Sequence, residues 1–311
     1  MAHSALGRYI VRRLLYAIPT LIGVSIVIFL MVRLIPGDPA RLIAGLQATS
    51  EEVERLRVEL GLDRPLYEQY LRFGRDIFSG DLGISAATQT SVALEIGSRF
   101  GATFSLAVTG TIIATTVGLI AGIISATSYN SLTDYAVMAV ALFGVSVPVF
   151  WLGIMLMLIF AVGLNWLPAG GYGGPAHFIL PSITLAAFSI AIIARMTRSS
   201  LLETLNADFV RTARAKGLPE RLVVARHALR NALIPVITVV GLQFGTLLGG
   251  AVLTETTFAW PDLGRLLVSA ITARDYPVIQ GSVLVFATLF VVVNLAVDIL
   301  YAYVDPRIHY D

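Results

Sequence analysis

Four histidines, His3, His177, His227 and His309, have no close spacing that could build a metal site. The chain has no cysteine, which removes disulfides, thiolate ligands and cysteine nucleophiles together. Its single lysine, Lys216, is followed by Gly217, whereas a phosphate-binding loop needs Gly-Lys-Ser/Thr. Neither a Gly-x-Ser-x-Gly elbow nor a His-Glu-x-x-His helix occurs. Asp298 is the one acid deep in an apolar stretch; it lies near Asp305 at the end of that stretch, placed to reach water or an arginine. Cations collect instead around Arg211, Arg214 and Lys216, interleaved with small and apolar residues. That pattern suits recognition of a surface, not bond making.

The elements that must position these residues follow from hydropathy. Of 311 residues 56% are apolar and only 14% charged, about half the charge of an average soluble domain. From Phe100 to Ala194 the one charged side chain is Asp134. A core so large could not be covered in water. The expected fold is all-α: a polytopic membrane protein with six transmembrane helices, an external helical segment and a cytoplasmic loop. About 20 apolar residues cross a bilayer core. The spans are Ile10–Val32, Thr103–Thr127, Tyr135–Val162 (broken near its middle by Pro148), Ile179–Met196, Leu233–Thr254 and Val278–Tyr303. The first is too long for a signal-peptide core, and no small-x-small cleavage site follows it; it reads as an uncleaved anchor. The division expected is 1–33 for the N-terminus and first span, 34–100 for the external segment, and 101–311 for a five-helix core with its loop at 197–232.

Positive charge selects the orientation. Arg8, Arg12 and Arg13 precede the first span, eight cations lie between Arg195 and Arg230, and Arg307 follows the last span. The segment Gly163–His177 has none, and Glu255–Pro277 has two. Both termini and the 197–232 loop are therefore expected in the cytoplasm. Segment Pro36–Arg99, with seven arginines against ten acids, is expected outside, because long loops cross largely regardless of charge.

Within that segment, Pro36-Gly-Asp-Pro39 ends the first span. Thr49-x-x-Glu52 predicts a capping box for a short helix with Val53, Leu56 and Leu60 on one face and Gly61 as its stop. Pro65 opens a second helix expected to turn Leu66, Tyr67, Tyr70 and Leu71 inward. The segment is either a cap on the membrane domain or a platform for an external partner. In the fifth span Gly241, Gly245 and Gly249 form a stripe of small residues, with Gly250 beside them; Gly118 and Gly122 do the same in the second. Such stripes let helices approach closely, within one chain or at a subunit interface lining a passage. Gln243, on another face, either lines that passage or hydrogen-bonds a neighbouring helix.

The loop itself reads as two amphipathic helices. Asn206 is the expected N-cap, Asp208 suits the positive end, Arg214 and Lys216 the negative end, and Gly217 is the stop. Leu202, Leu205, Phe209 and Ala213 form the expected apolar face, with Arg211 and Arg214 off it. Pro219 begins the second helix, with Leu222, Ala225 and Leu229 on one side and Arg221, Arg226 and Arg230 off that row. Such a pair could lie in the headgroup layer, but the small residues Ala213, Ala215 and Gly217 favour insertion into a protein groove.

The run Arg211-Thr212-Ala213-Arg214-Ala215-Lys216-Gly217, followed by His227-Ala-Leu-Arg-Asn-Ala-Leu-Ile-Pro235, resembles the coupling-helix motif of ABC importer permeases. The motif's general form is Glu-Ala-Ala, three residues, Gly, and a later Leu-Pro ending. Here Arg211-Thr212-Ala213 stands at the first three positions, and Ile234 precedes the proline, a variant similar to that of the peptide, nickel and glutathione permeases. Pro36-Gly-Asp-Pro-Ala40, Leu60-Gly-Leu-Asp-Arg-Pro-Leu66, Gly80-Asp-Leu-Gly83, Arg195-Met-Thr-Arg198, Phe258-Ala-Trp-Pro-Asp-Leu-Gly-Arg265 and Asp275-Tyr-Pro-Val-Ile-Gln280 are similar to the same family.

The resemblance implies a bacterial inner-membrane subunit, with no enzyme activity of its own, in an ATP-driven importer of dipeptides, oligopeptides or glutathione. It implies as partners a second homologous permease, two cytosolic ATPases, an external substrate-binding protein and the lipid bilayer, and no nucleic acid. ATP and magnesium would sit on the ATPases, with no cofactor, metal site or catalytic residue on this chain. The ATPase-coupling residues it implies are Phe209, Arg211, Thr212, Ala213, Arg214, Ala215, Lys216, Gly217 and Leu218. Gly241, Gln243, Gly245 and Gly249 are the candidates for the path or subunit interface. A nickel importer of the same family is the nearest alternative. A self-sufficient carrier should show internal repeats and mid-membrane ionisable groups, and an embedded enzyme a convergent nucleophile or metal set.

Overall fold

The computed structural model describes residues 2–34, 38–45, 48–59, 61–250 and 252–304. Pro36, Gly37, Leu60, Asp305, Arg307 and His309, each used in the sequence reading, lie outside them, as does the end of the first span that Pro36-Gly37 were expected to make. In chain order the helices are α1 (Ala2–Leu34), α2 (Pro39–Ala44), α3 (Ser50–Glu59), α4 (Leu66–Phe78), α5 (Val92–Thr127), α6 (Leu132–Ser146), α7 (Val149–Leu156), α8 (Pro175–Leu205), α9 (Asp208–Ala215), α10 (Glu220–Leu222), α11 (Leu229–Gly250), α12 (Val252–Thr257), α13 (Leu263–Ala273) and α14 (Tyr276–Val304). Met157–Gly163 continues α7 as a π-helix, and Val223–Ala228 joins α10 to α11 in the same form.

Among the described residues five stretches are long and apolar enough to cross a membrane: Val11–Met31, Val92–Thr127, Pro175–Leu205, Glu220–Gly249 and Tyr276–Ile299. A sixth, Leu132–Ser146 with Val149–Gly163, is bent by 106°. The bend falls at Pro148, which cannot donate the next helical hydrogen bond. Six apolar segments thus stand where six spans were expected. The second is longer than its apolar core, because Val92 and Ile96 pack among Leu263, Leu266 and Val278.

The chain forms two compact units, one of residues 1–13, 104–260 and 292–311, the other of 14–103 and 261–291. Residues 1–13 thus fall in the unit of 104–260, and 261–291 in the unit of 14–103.

In the first unit α8 is central: half of its apolar stretch is buried. Gly118 and Gly122 of α5 lie against it so closely that a Cβ would stand 2.8 Å from Ile193 and 2.5 Å from Thr197. Gly144 of α6 meets the Ala187 carbonyl in the same way. The small residues do here what a hydrophobic drive cannot do in lipid: they let backbones touch. Ala114, Ala186, Ile193 and Val236 fill the space between α5, α8 and α11.

The second unit holds α3 and α4. The capping box is formed: Glu52 accepts from the Thr49 N–H (2.8 Å), and Thr49 Oγ1 accepts from the Glu52 N–H (3.3 Å). Those hydrogen bonds, backbone first, hold the Glu52 carboxyl below its ordinary value. Val53 is buried, and Gly61 takes φ +68°. In α4 the expected inward face is corrected. Leu66, Tyr67 and Leu71 are exposed, while Tyr70 and Phe73 stack around Phe29 at 5.3 and 5.7 Å. α4 carries apolar residues over a wide arc, and α1 covers its Tyr70–Phe73 side. Farther along, buried Asp275 accepts hydrogen bonds from the Ser85 hydroxyl and from the Ala86 and Ala87 N–H groups, and so fixes the turn before α5.

Candidate functional site

The loop with the coupling-like motif is held from below by apolar anchors. α8 ends at Leu205, so the loop begins later than residue 197. Asn206 is not the N-cap of α9; its N–H closes the last turn of α8 and its side chain donates to the Leu202 carbonyl (3.0 Å). Ala207 occupies the cap position without a side-chain bond. Asp208 remains in the first turn of α9, where negative charge suits the helix dipole.

Val210 and Ala213 are buried with Leu201, Ala126, Val223, Ala228 and Ala232, and Leu202, Leu205 and Leu218 pack against that cluster. Phe209, expected on the inward face, is 46% exposed. The anchor is its neighbour. In the second helix the buried residues are Val223, Ala228 and Ala232, not Leu222, Ala225 and Leu229. Their spacing of five and then four follows from the π-helix over Val223–Ala228, whose wider turn moves the inward face by a residue.

Arg211, Thr212, Ala215, Lys216 and Gly217 are exposed, so this side of the motif faces away from the chain. Gly217 adopts φ +75°, the left-handed conformation expected of a helix stop, and a Cβ there would meet nothing within 4 Å. The two expected outward arginines differ. Arg211 is 3.6 Å from Asp208 in a loose exposed pair. Arg214 forks onto Glu220, with Nε–Oε2 at 3.1 Å and Nη2–Oε1 at 2.6 Å, and also approaches the Leu205 carbonyl (3.4 Å). Its guanidinium is held above its ordinary value by those bonds to Glu220. Arg214 therefore ties α9 to α10 across the Gly217 turn, a role that sequence spacing did not suggest. Beside it lies a cleft of about 460 Å³ lined by Thr127, Tyr129, Leu202, Asn206, Arg214 and Glu220.

One further pair was missed. Arg198, at the foot of α8, donates from Nε and Nη2 to the two oxygens of Asp134 (2.9 and 2.8 Å). Asp134 also accepts from the Ser125 hydroxyl and from the Asn130 N–H, and its own N–H is capped by Ser131. The pair locks the α5–α6 turn to the helix that enters the loop. Its signal was present in an acid isolated within a long uncharged stretch.

The four path candidates separate. Gly241 packs on α14, where a Cβ would come 2.1 Å from Val297. Gly245 is buried. Gly249 is exposed, with open space beside it. Gln243 is buried and donates to Ser189 Oγ of α8 (3.0 Å), so of its two readings the helix-to-helix bond is the one observed. Asp298 pairs with Arg13 at 2.9 Å, as its position near the end of the span suggested. Among the described residues no group of three His, Cys, Asp or Glu could hold a metal ion.

The chain was compared with known proteins. Residues 118–310 match the family described as "Binding-protein-dependent transport system inner membrane component", and 6–107 match its N-terminal companion. The chain is 49% identical over 302 residues to the glutathione transport system permease protein GsiC of Escherichia coli strain K12, covering 97% of this chain and 99% of that one. Its identity to the protein of the same name from Shigella boydii serotype 4 (strain Sb227) is 48% over the same shares. Two solved structures share the fold. One, described as inward-facing conformations of the MetNI methionine ABC transporter, matches at TM-score 0.54 and 19% identity, over 68% of this chain and 96% of that one. The other, an amino acid ABC transporter with histidines, gives 0.51 and 17%, over 69% and 94%. The protein is a permease, not an enzyme, and a multi-pass inner-membrane protein. It belongs to the family of binding-protein-dependent transport system inner membrane components.

Proposed function

We propose that the chain is one of two permeases in an ATP-driven importer of glutathione or small peptides, and that the α9–Gly217–α10 loop receives the stroke of the ATPases. The observation that carries the mechanism is the loop's construction. Buried Val210, Ala213 and Val223 hold it rigidly, while Arg211, Thr212, Ala215, Lys216 and Gly217 form an uncovered face. An anchored element with an exposed cationic face fits a groove in a partner; a loop without anchors would dissipate a push. In this reading the loop and both termini are cytoplasmic, ATP and magnesium are bound by the two ATPases, and an external binding protein delivers substrate. Identity over nearly the whole chain to glutathione permeases supports the substrate class.

Gly217 provides the test. Asparagine tolerates a left-handed backbone and tryptophan tolerates it poorly, and the Cβ of either would stand in open space. If Gly217 only stops a helix, Gly217→Trp should lose no more assembly with the ATPases than Gly217→Ala, which meets the same backbone strain without the bulk. If it enters a partner's groove, Gly217→Trp should lose co-purification of the ATPases and ATP-driven glutathione uptake, while Gly217→Asn keeps most of both. Full assembly and uptake by the tryptophan variant would remove this loop from the coupling path. Uphill uptake by vesicles holding this chain alone would overturn the importer reading itself.

A further inference from the structure

The outer face of α4 has no role in the reading above. Tyr67, Leu71 and Phe78 lie along one side of the helix and are 65%, 67% and 94% exposed. Next to that stripe is a cleft of about 440 Å³, within the size range of small-molecule sites, lined by Gly61, Arg64, Glu68, Leu71, Arg72 and Arg75 among others. Three arginines face one glutamate there. Arg64 is 3.7 Å from Glu68, too far and too exposed to cancel it, and Arg72 donates to the Glu59 carbonyl (3.3 Å). Leu71 belongs both to the stripe and to the cleft.

The depth of α4 is set by α1. The apolar stretch of α1 runs to Met31, and the Tyr70 hydroxyl bonds to Ser25 Oγ at 2.8 Å. Ser25 is six residues before Met31, roughly 9 Å of helix. Phe29, between them, stacks on Tyr70 and Phe73. α4 therefore lies at the level where the apolar stretch of α1 ends. Amphipathic helices of that kind bury an apolar face about 5–10 Å into the boundary of headgroups and acyl chains. α1 covers the Tyr70–Phe73 side of α4, while Tyr67, Leu71 and Phe78 on the neighbouring side stay exposed.

We propose that α4 holds a phospholipid, with an acyl chain along Tyr67, Leu71 and Phe78 and the headgroup phosphate in the Arg64–Arg72–Arg75 cleft. Arginine forks match phosphate oxygens, and the excess of positive charge favours an anionic headgroup. The site needs only a chain inserted in a membrane, so it stands or falls apart from the transported solute and the ATPases.

The absence of cysteine makes the experiment direct. The full-length chain carrying Leu71→Cys, labelled with a polarity-sensitive fluorophore, is placed in nanodiscs of phosphatidylcholine with or without phosphatidylglycerol. A quencher carried on lipid should darken the label and aqueous iodide should not. Quenching by iodide alone, or by neither because a second copy or another protein covers the face, overturns the proposal. Separately, the wild type should retain phosphatidylglycerol through detergent washing. The Arg64→Gln/Arg72→Gln/Arg75→Gln variant should retain at least about tenfold less, as expected for lost charged hydrogen bonds. Equal retention removes the cleft from the site. Displacement of the retained lipid by inorganic phosphate would mark a free-phosphate site, which also overturns it.

Discussion

Asp134–Arg198 and Arg214–Glu220 are both forked arginine–carboxylate pairs in the same compact unit, on either side of the α8–α9 junction. They are built for opposite surroundings. The side chain of Asp134 is 2% exposed and has three further bonding partners or caps around it, whereas Glu220 is 59% exposed and Arg214 42%. Removing one member of a buried pair leaves an uncompensated charge, while an exposed pair is close to neutral in stability. The first pair holds the foot of α8 in place; the second shapes a loop that α8 carries. An element that transmits force needs both: a fixed root, and a tip whose shape is kept without being cemented to the bundle.

Asp134→Ala should produce the largest loss. Arg198, a quarter exposed, would lose its fork, and the Ser125 hydroxyl and Asn130 N–H their acceptor, at a cost near the lower end of the roughly 3–5 kcal/mol for breaking a buried pair. The thermal midpoint in detergent should fall well below that of the wild type. A variant with Asp134→Ala and Arg198→Met together should cost less than the sum of the two single changes, since the partners are removed as a unit. An unchanged midpoint in Asp134→Ala would erase the contrast between the two pairs.

The glycines sharpen the same contrast between locked and open surfaces. Gly122→Val drives a side chain against Thr197 and the Ala194 carbonyl, 2.5 and 2.7 Å from the new Cβ. Backbone cannot yield as a flexible side chain does, and overpacking of this kind costs about 1–3 kcal/mol. Gly249→Val meets nothing within 4 Å and should leave the isolated chain's midpoint unchanged. If Gly249 faces the second permease, that variant should instead lose co-purification of the second subunit. Equal midpoints for the two variants would mean that the close approach of α5 to α8 is not holding the bundle together.

What was legible in the sequence follows the range of the forces involved. Spans were legible because twenty apolar residues have few alternatives, and the break at Pro148 because a missing N–H is a local fact. Gly217 was legible because a left-handed stop favours glycine. The inward faces were not. α4 has apolar residues around much of its circumference, so which side packs depended on Phe29 and Ser25, far away in sequence. The π-helix at Val223–Ala228 changes the register by a residue without any residue type that announces it, and Val223 displaced Leu222 as the anchor. Asp134 stood out by its isolation, but its partner is 64 positions away. Motif positions survived where the reading rested on backbone conformation, and failed where it rested on orientation.

The smallest effect on stability, and the most telling, belongs to the exposed pair. Arg214→Glu places two carboxylates together at the Gly217 turn, yet both are largely in water, so the thermal midpoint should scarcely move. Its consequence should be geometric. Without the fork, only the 216–219 link and the packing of Val210 and Ala213 on Val223 join the two helices, and the exposed face of Arg211, Thr212 and Lys216 is held less firmly in one orientation. Arg214→Glu should therefore weaken attachment of the ATPases while the chain remains folded. The exchanged variant, Arg214→Glu with Glu220→Arg, restores an ion pair at the same turn while leaving the charge at position 214 reversed. If Arg214 works by tying the loop to itself, the exchanged variant should recover attachment. If it works by touching an acid on a partner, position 214 stays repulsive and attachment stays low. Co-purification of the ATPases across low and high salt separates the two, because a direct contact between chains is screened by salt. Recovery in the exchanged variant assigns Arg214 to the loop's internal frame and leaves Arg211 and Lys216 as the cations offered to a partner.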